Sequence, residues 1–489
     1  MRASGILLPI TSLPSPYGIG TMGKEAYYFA NFLKGANQKY WQVLPLGPTS
    51  YGDSPYQTFS TFAGNPYLID LDLLIEENLL TKEDILHFKA QNCSTIDYEF
   101  QYNNRFDVLR VAFANFLFDE DLSFNKFCRN EQQWLDDYAL FMSIKRMHKD
   151  ISWWLWPKEY KTKEIEAIKN FTLNHMEEIT FWKFVQYLFF KQWYALKKYV
   201  NDLGIEIIGD IPIYVAQDSS DCWSNPDEWQ LDERLLPIDV AGCPPDAFAI
   251  TGQLWGNPLY NYEKMAENNF QWWIKRIESS FKIYDIVRID HFRGFEAYYA
   301  IPYSNPTAEF GTWVKGPGLK LFSEIKKQLG DVKIIAEDLG FLTPEVYQLL
   351  KDTGYPGMKI LQFGFDPWND SEYLPHNYQY NSVVYPGTHD NMPILGWYQQ
   401  LNQDEKRFCL EYLDLEDEKR IVEKMIKTCL ASVCKIAIIP IQDYLELGNE
   451  ARINIPSTLG DNWVWRLEKD ALTPELQLKI AKWTKTYRR

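Results

Sequence analysis

Eight short apolar runs, rich in β-branched residues, recur along this chain and constrain its fold more than any other feature. They are GILLPI (5–10), YWQVLPL (40–46), IEIIGDIPIY (205–214), YDIVRIDHF (284–292), KIIAEDLG (333–340), GMKILQFGF (357–365), SVVYPGTHD (382–390) and KIAIIPIQDYL (435–445). A run that is apolar throughout, rather than alternating, marks a strand buried on both faces, which is the habit of parallel sheets. Parallel neighbours need long crossovers. Stretches of helical period, such as FKQWYALKKYVNDLG (190–204) and GPGLKLFSEIKKQLG (316–330), stand between the runs, and the second stops at a Gly as a helix C-terminus does. Eight such strands suit an α/β fold closed into a (β/α)8 TIM barrel. An open, doubly wound sheet is the alternative. It would carry a glycine-rich phosphate fingerprint after its first strand, and SLPSPYGIGTMG (12–23) does not match one.

The spacing of the runs is uneven. Residues 76–200 contain FDVLRVAFANFLFDEDL and EEITFWKFVQYLFFKQWYALKKYV and are expected to form a mostly helical insertion after the second strand. Residues 215–270, rich in Pro, Gly, Asp and Trp and without period, are expected to be a loop-rich insertion after the third. Within it, AGCPPDAFAITGQLWGNP (241–258) reads as a lid over the active site. Residues 1–489 are thus expected to make a single catalytic barrel with two large insertions.

Each of three runs ends on an acid: Asp290 in VRIDHFRG, Glu337 in KIIAEDLG and Asp390 in VVYPGTHDN. The C-terminal ends of barrel strands share one face, and active sites are built there. Side chains two apart on a strand point the same way, so Arg288 shares a face with Asp290, one layer deeper. A guanidinium in that place is expected to lower the carboxyl's pKa and mark Asp290 as an ionised nucleophile. Glu337 and Asp338 are adjacent and diverge. Only one reaches the cleft, and a shared face with Ile335 gives Glu337 a slight preference. A single strand-end Asp is as readily an ion-pair partner or a helix cap. Three together, with Arg288, His291 and His389 beside them, point to chemistry on a glycosidic bond, where one carboxylate attacks and another donates a proton. No HExxH or EF-hand loop is present, so no catalytic metal and no cofactor is expected.

Composition narrows the class further. The formal net charge of −16 disfavours nucleic acid and anionic membrane as partners, because both call for clustered Lys and Arg. Aromatic residues reach 16%; most belong to the core, and exposed Trp and Tyr rings can stack on sugar faces. Seven scattered Cys, with no CxxC, argue against a disulfide framework. The N-terminus MRASGILLPITSLPSPYG lacks the apolar core of a signal peptide. A cytoplasmic location is the expectation.

A set of longer motifs carries a resemblance. SLPSPYGIG (12–20), WQVLPLGPTSYGDSPYQ (41–57), GNPYLIDL (64–71), GDIPIYV (209–215), PPDAFAITGQLWGNPLY (244–260), VRIDHFRGF (287–295), IIAEDLG (334–340), PGMKILQF (356–363) and YPGTHDN (385–391) resemble, in order, the amylomaltase or disproportionating-enzyme family of 4-α-glucanotransferases, glycoside hydrolase family 77 of the α-amylase clan. The likeness runs from residue 7 to about 466. It implies a TIM barrel with no C-terminal β-domain, and transfer of 1,4-α-glucan segments among maltooligosaccharides, with glucose as an acceptor. It also implies that Asp290 is the nucleophile, Glu337 the general acid/base and Asp390 the transition-state stabiliser. Arg288, His291 and His389 match residues flanking the reacting sugar, and Tyr56 a ring stacked beneath it. Asp210, Asp246 and Trp255 match positions lining the donor and acceptor subsites, and Asn454 a sugar contact. The family's Asn-x-Pro-Gly segment stands here as NIPST (454–458), with Ser457 where Gly is usual.

The carboxylates alone do not separate transfer from hydrolysis, since a covalent glycosyl intermediate partitions by whatever reaches it first. An amylase-like hydrolase is therefore the alternative reading, and a non-catalytic sugar binder a more distant one. Trp255, in the lid segment, is the expected acceptor-side stacking ring.

Overall fold

All eight apolar runs become parallel strands of one sheet. The computed structural model describes residues 2–88, 94–118, 121–245, 250–340 and 342–489. Its strands are β1 (Ala3–Leu7), β2 (Tyr40–Gln42), β3 (Glu206–Ile211), β4 (Asp239–Cys243), β5 (Gln253–Pro258), β6 (Ile286–Ile289), β7 (Ala297–Pro302), β8 (Thr312–Lys315), β9 (Ile334–Ala336), β10 (Gly357–Ile360), β11 (Ser382–Tyr385) and β12 (Ile436–Pro440). The large sheet runs β10-β11-β12-β1-β2-β3-β6-β9, and every ladder in it is parallel. Consecutive residues on these strands are buried together: Ile207 and Ile208, Ile334 and Ile335, Val383 and Val384, Ile438 and Ile439. One faces the barrel interior and the other the helices outside, which is why these runs do not alternate. Removing each such side chain from water contributes roughly 1.5–3 kcal/mol.

The barrel closes between β9 and β10 without a regular ladder. The Ala336 N–H donates to Pro356 O (3.0 Å), and the Met358 N–H donates to the Asp338 carboxylate (2.5 Å). Asp338 lies against Gly357, where a Cβ would come within 2.3 Å of its Oδ2, so a side chain there would push Asp338 off the seam.

Between β2 and β3 the chain is mostly helical. Helices Tyr98–Asn115 and Leu122–Asn130 start on Asp97 and Asp121, whose carboxylates accept the free N–H groups of the first turn. The 27-residue helix Met176–Asp202 then leads into β3. Two of its glutamines fasten it to the loop after β2. Gln186 accepts from and donates to the Gly64 backbone, and Gln192 does the same at Asp70. Each pair imitates a strand's two hydrogen bonds inside the core and satisfies the backbone N–H and C=O of Gly64 and of Asp70.

The stretch 215–270, expected as loop, holds two strands. β4 and β5 join β7 and β8 in a separate antiparallel sheet ordered β5-β4-β7-β8, with a bulge between Val240 and Gly242. These strands escape the pattern because they are short and glycine-interrupted, and β7 reaches them from beyond β6. No helix among the described residues is long and apolar enough to cross a membrane.

Candidate active site

Asp290 follows directly on β6, its N–H bonded to Ile211 O at the end of β3 (2.9 Å). One layer below, Arg288 and Asp210 are register partners on β6 and β3. Arg288 Nη1 lies 2.6 Å from Asp210 Oδ2 and 3.0 Å from Asp290 Oδ1. The Tyr56 hydroxyl donates to the same Asp210 oxygen (2.8 Å). Asp210 is fully buried and its Oδ1 has no hydrogen-bond partner among the described residues. It is therefore an anchor under the floor, and not a wall of the cleft.

Glu337 closes β9. Its Oε2 accepts from the His291 N–H (2.6 Å) and its Oε1 from the Leu339 N–H (2.8 Å). The first bond needs the left-handed turn at His291, φ 52°. Asp338 points away to the β9–β10 seam, so it is Glu337 that turns to the site. His291 meets Trp255 edge-on at 4.8 Å, and burial with the nearby Arg293 lowers its pKa to about 3, keeping the ring neutral.

Asp390 sits in the turn after β11. Asn454 Nδ2 donates to its Oδ1 (2.7 Å), and His389 Nε2 is 3.4 Å from its Oδ2. The buried His389 ring stacks on Tyr56 at 5.2 Å. Tyr56, Trp255, Asp290, His389, Asp390 and Asn454 face one cavity of about 500 Å³. Arg288 is buried in the layer beneath it, and Glu337, one step beyond the Ile289–Ala336 register pair and so level with Asp290, is buried as well. Trp255 and Gln57 also face a second cavity of about 740 Å³, whose far side is built from Tyr98, Tyr102 and Trp154 of the helical insertion. Trp255 is thus a partition between two spaces; its Nε1 is held by Gln253 Oε1 (3.1 Å). Asp246 lies outside the described residues.

The electrostatics correct one expectation. Burial raises the Asp290 pKa to about 6; Arg288 opposes the rise, while Asp210 and Asp390 add to it. Arg288 alone would have lowered it, but one guanidinium is shared between two carboxylates in a closed space. Glu337 rises further, to about 8, through burial first and the Asp290 charge second. Of this coupled pair, Asp290 gives up its proton before Glu337. Among the described residues no group of three His, Cys, Asp or Glu is arranged to hold a metal ion.

Comparison with known proteins decides the family. The family model for 4-α-glucanotransferase matches residues 8–473. The chain belongs to the 4-α-glucanotransferase family. It is an enzyme that transfers segments of α-glucan. A 4-α-glucanotransferase of Clostridium butyricum is 52% identical over 483 residues, covering 98% of this chain and 99% of that protein. One from Streptococcus pneumoniae is 47% identical over 493 residues, covering 100% and 97%. The amylomaltase from Streptococcus agalactiae, solved in complex with acarbose, superposes with a TM-score of 0.97 at 43% identity, over 100% of both chains.

Ser457 adopts φ 64°, the left-handed region in which glycine is the ordinary choice. The backbone keeps the turn despite the side chain, and Asn454 three residues earlier still reaches Asp390. Sequence reasoning missed Gln57, Arg452 and Trp463. Gln57 donates to Asn257 (3.2 Å), Arg452 to the Asp390 carbonyl (2.7 Å), and the Trp463 ring lies 5.7 Å from Tyr56. All three sit in loops, where no periodicity flags them.

Proposed function

We propose that this glucanotransferase works by a retaining double displacement, with Asp290 as nucleophile, Glu337 as general acid and base, and Asp390 steadying the transition state. One observation carries the reading. Two buried carboxyls stand level at the ends of neighbouring strands, Asp290 3.0 Å from the Arg288 guanidinium and Glu337 with no such cation among the described residues, and burial with the Asp290 charge pushes Glu337 up the further of the two. At neutral pH an ionised Asp290 attacks the anomeric carbon of a 1,4-α-linked glucosyl unit. Glu337 gives its proton to the departing 4-oxygen, so the reducing-end fragment leaves and a glucosyl ester of Asp290 remains. Glu337, now ionised, takes the proton from the 4-hydroxyl of glucose or of another glucan. That oxygen displaces Asp290, and two inversions at one carbon give net retention.

Maltooligosaccharides are the proposed donors, and glucose and shorter glucans the acceptors. Residues 76–200 and 215–270 act as the outer walls of the cleft, supported by the aromatic lining each contributes to the two cavities. In the lid segment 241–258, of which 246–249 lie outside the described residues, Trp255 presents its face to the acceptor and excludes water. Scattered cysteines with no CxxC pair favour a reducing, cytoplasmic setting. Incubation with maltotriose tests the reading. A ladder of longer and shorter glucans, with newly formed α-anomers, is expected; β-anomers would refute the double displacement. Asp290→Asn is expected to abolish turnover with folding intact. Loss of cooperative unfolding instead would make Asp290 a structural residue.

A further inference from the structure

Arg452 lies two residues before Asn454, half-buried behind the cavity wall. Its Nη2 donates to the carbonyl oxygen of Asp390 (2.7 Å) and its Nε to that of Asn454 (2.8 Å). Among the described residues its hydrogen bonds go to carbonyls and not to a carboxylate. Asn454 in turn holds the same turn twice, through Nδ2 to Asp390 Oδ1 (2.7 Å) and through its N–H to His389 O (3.2 Å).

We propose that Arg452 is a positioning residue for Asp390, setting the aim of its carboxylate by locking the turn after β11 to the 452–454 loop. The guanidinium is a planar fork whose donors leave at fixed angles. Used on two carbonyls from different segments, it fixes the distance between the backbone of Asp390 and the backbone of Asn454. That distance decides whether Asn454 Nδ2 meets Asp390 Oδ1. The Asp390 side chain is 39% exposed to the cleft, and His389 Nε2 stands off from it at 3.4 Å. The grip on the carboxylate therefore comes from the Asn454 side, and Arg452 holds that side in place. The inference rests on the proposed role of Asp390 in the transition state.

The test measures kcat and KM on maltotriose for Arg452→Met, Arg452→Gln, Asn454→Ala, Asp390→Ala and the Arg452→Met/Asn454→Ala double variant, each checked by thermal unfolding. Arg452→Met is expected to lower kcat on the order of 10²-fold with KM changed by no more than about threefold, because a displaced group that acts only in the transition state costs rate and not ground-state binding. Gln, which keeps one amide donor, is expected to recover about tenfold of that loss. The double variant should be no more than about threefold below the lower single, since both act through one carboxylate. A kcat within about threefold of wild type in a folded Arg452→Met overturns the proposal, as does a multiplicative loss in the double. If the Met variant does not fold, the Gln variant decides in the same way. Asp390→Ala separates the two layers. Wild-type kcat there would sink the role of Asp390 and this inference with it, whereas an inactive Asp390→Ala beside a fully active Arg452→Met would sink the inference alone.

Discussion

Asp210→Asn is the change that probes the buried charge cluster most directly. The substitution keeps the shape of the side chain and removes its charge. Asp210 Oδ2 receives two charge-assisted bonds, from Arg288 Nη1 (2.6 Å) and the Tyr56 hydroxyl (2.8 Å). Made to a neutral amide oxygen, each is weaker by roughly 1 kcal/mol. The new NH2 takes the place of Oδ1, which has no partner among the described residues, and a buried unmatched amide costs about 1–3 kcal/mol. The sum, about 3–5 kcal/mol, agrees with the usual cost of deleting one member of a buried ion pair. A second effect has a definite sign. Asp210 helps to raise the Asp290 pKa while Arg288 lowers it. Without the Asp210 charge, Arg288 serves Asp290 alone, and the acid limb of kcat/KM moves to lower pH. The assay is kcat/KM on maltotriose from about pH 4.5 to about pH 9, paired with urea unfolding. An acid limb that stays in place or rises in a folded variant would refute this account, and so would a stability loss under about 1 kcal/mol.

Wild-type kcat/KM should trace a bell with an acid limb near 6 and an alkaline limb near 8 that belong to the Asp290–Glu337 pair; a flat profile between about pH 5 and pH 9 would separate these groups from the chemistry. Asp443 is buried, holds the Ile394 N–H at 2.7 Å, and has its pKa raised by burial to about 7. A carboxyl whose folded pKa lies above its unfolded value of about 3.9 stabilises the fold fully below that value and loses the contribution as pH rises through the folded pKa. Asp443→Asn should therefore narrow the fall in urea midpoint between about pH 5 and about pH 8, and an unchanged fall would rule the group out. Trp255→Ala should raise the ratio of glucose release to disproportionation on maltotriose; an unchanged ratio would remove Trp255 from the acceptor side.

The barrel was legible because a strand buried on both faces carries its signature in consecutive residues, as in Ile207–Ile208 and Ile334–Ile335. Helix ends were legible for the same local reason: helix Leu319–Leu329 stops at Gly330, φ 78°. The antiparallel sheet was not, because β4 and β5 gain their order from β7, supplied from beyond β6. At the site, strand alternation paired Arg288 with Asp290 correctly and still gave the wrong sign for the Asp290 shift. Alternation sees neighbours along one strand. It does not see Asp210, which shares the guanidinium from 78 residues away, nor the closed space around the group. The choice between Glu337 and Asp338 likewise turned on a tertiary fact, the missing ladder at the β9–β10 seam that Asp338 fills.

Under the proposed double displacement, that charge arrangement bears on more than proton affinities. With Glu337 protonated and Asp290 ionised, the floor holds two carboxylates, Asp210 and Asp290, against the single guanidinium of Arg288. Asp390 adds a third carboxyl on the wall. A neutral glucan in its ground state gains little from a surplus of negative charge. The oxocarbenium-like transition state carries positive charge at the anomeric carbon and gains a great deal, since the donors and charges are fixed before it forms. Pairing every carboxylate with its own arginine would lower the Asp290 pKa further and make the site more stable. It would also cancel the field that favours the transition state over the substrate. The burial that raises the Asp290 pKa and the sharing of one arginine by two carboxylates then belong to a single compromise, in which folding stability is given up for negative charge close to the reacting carbon.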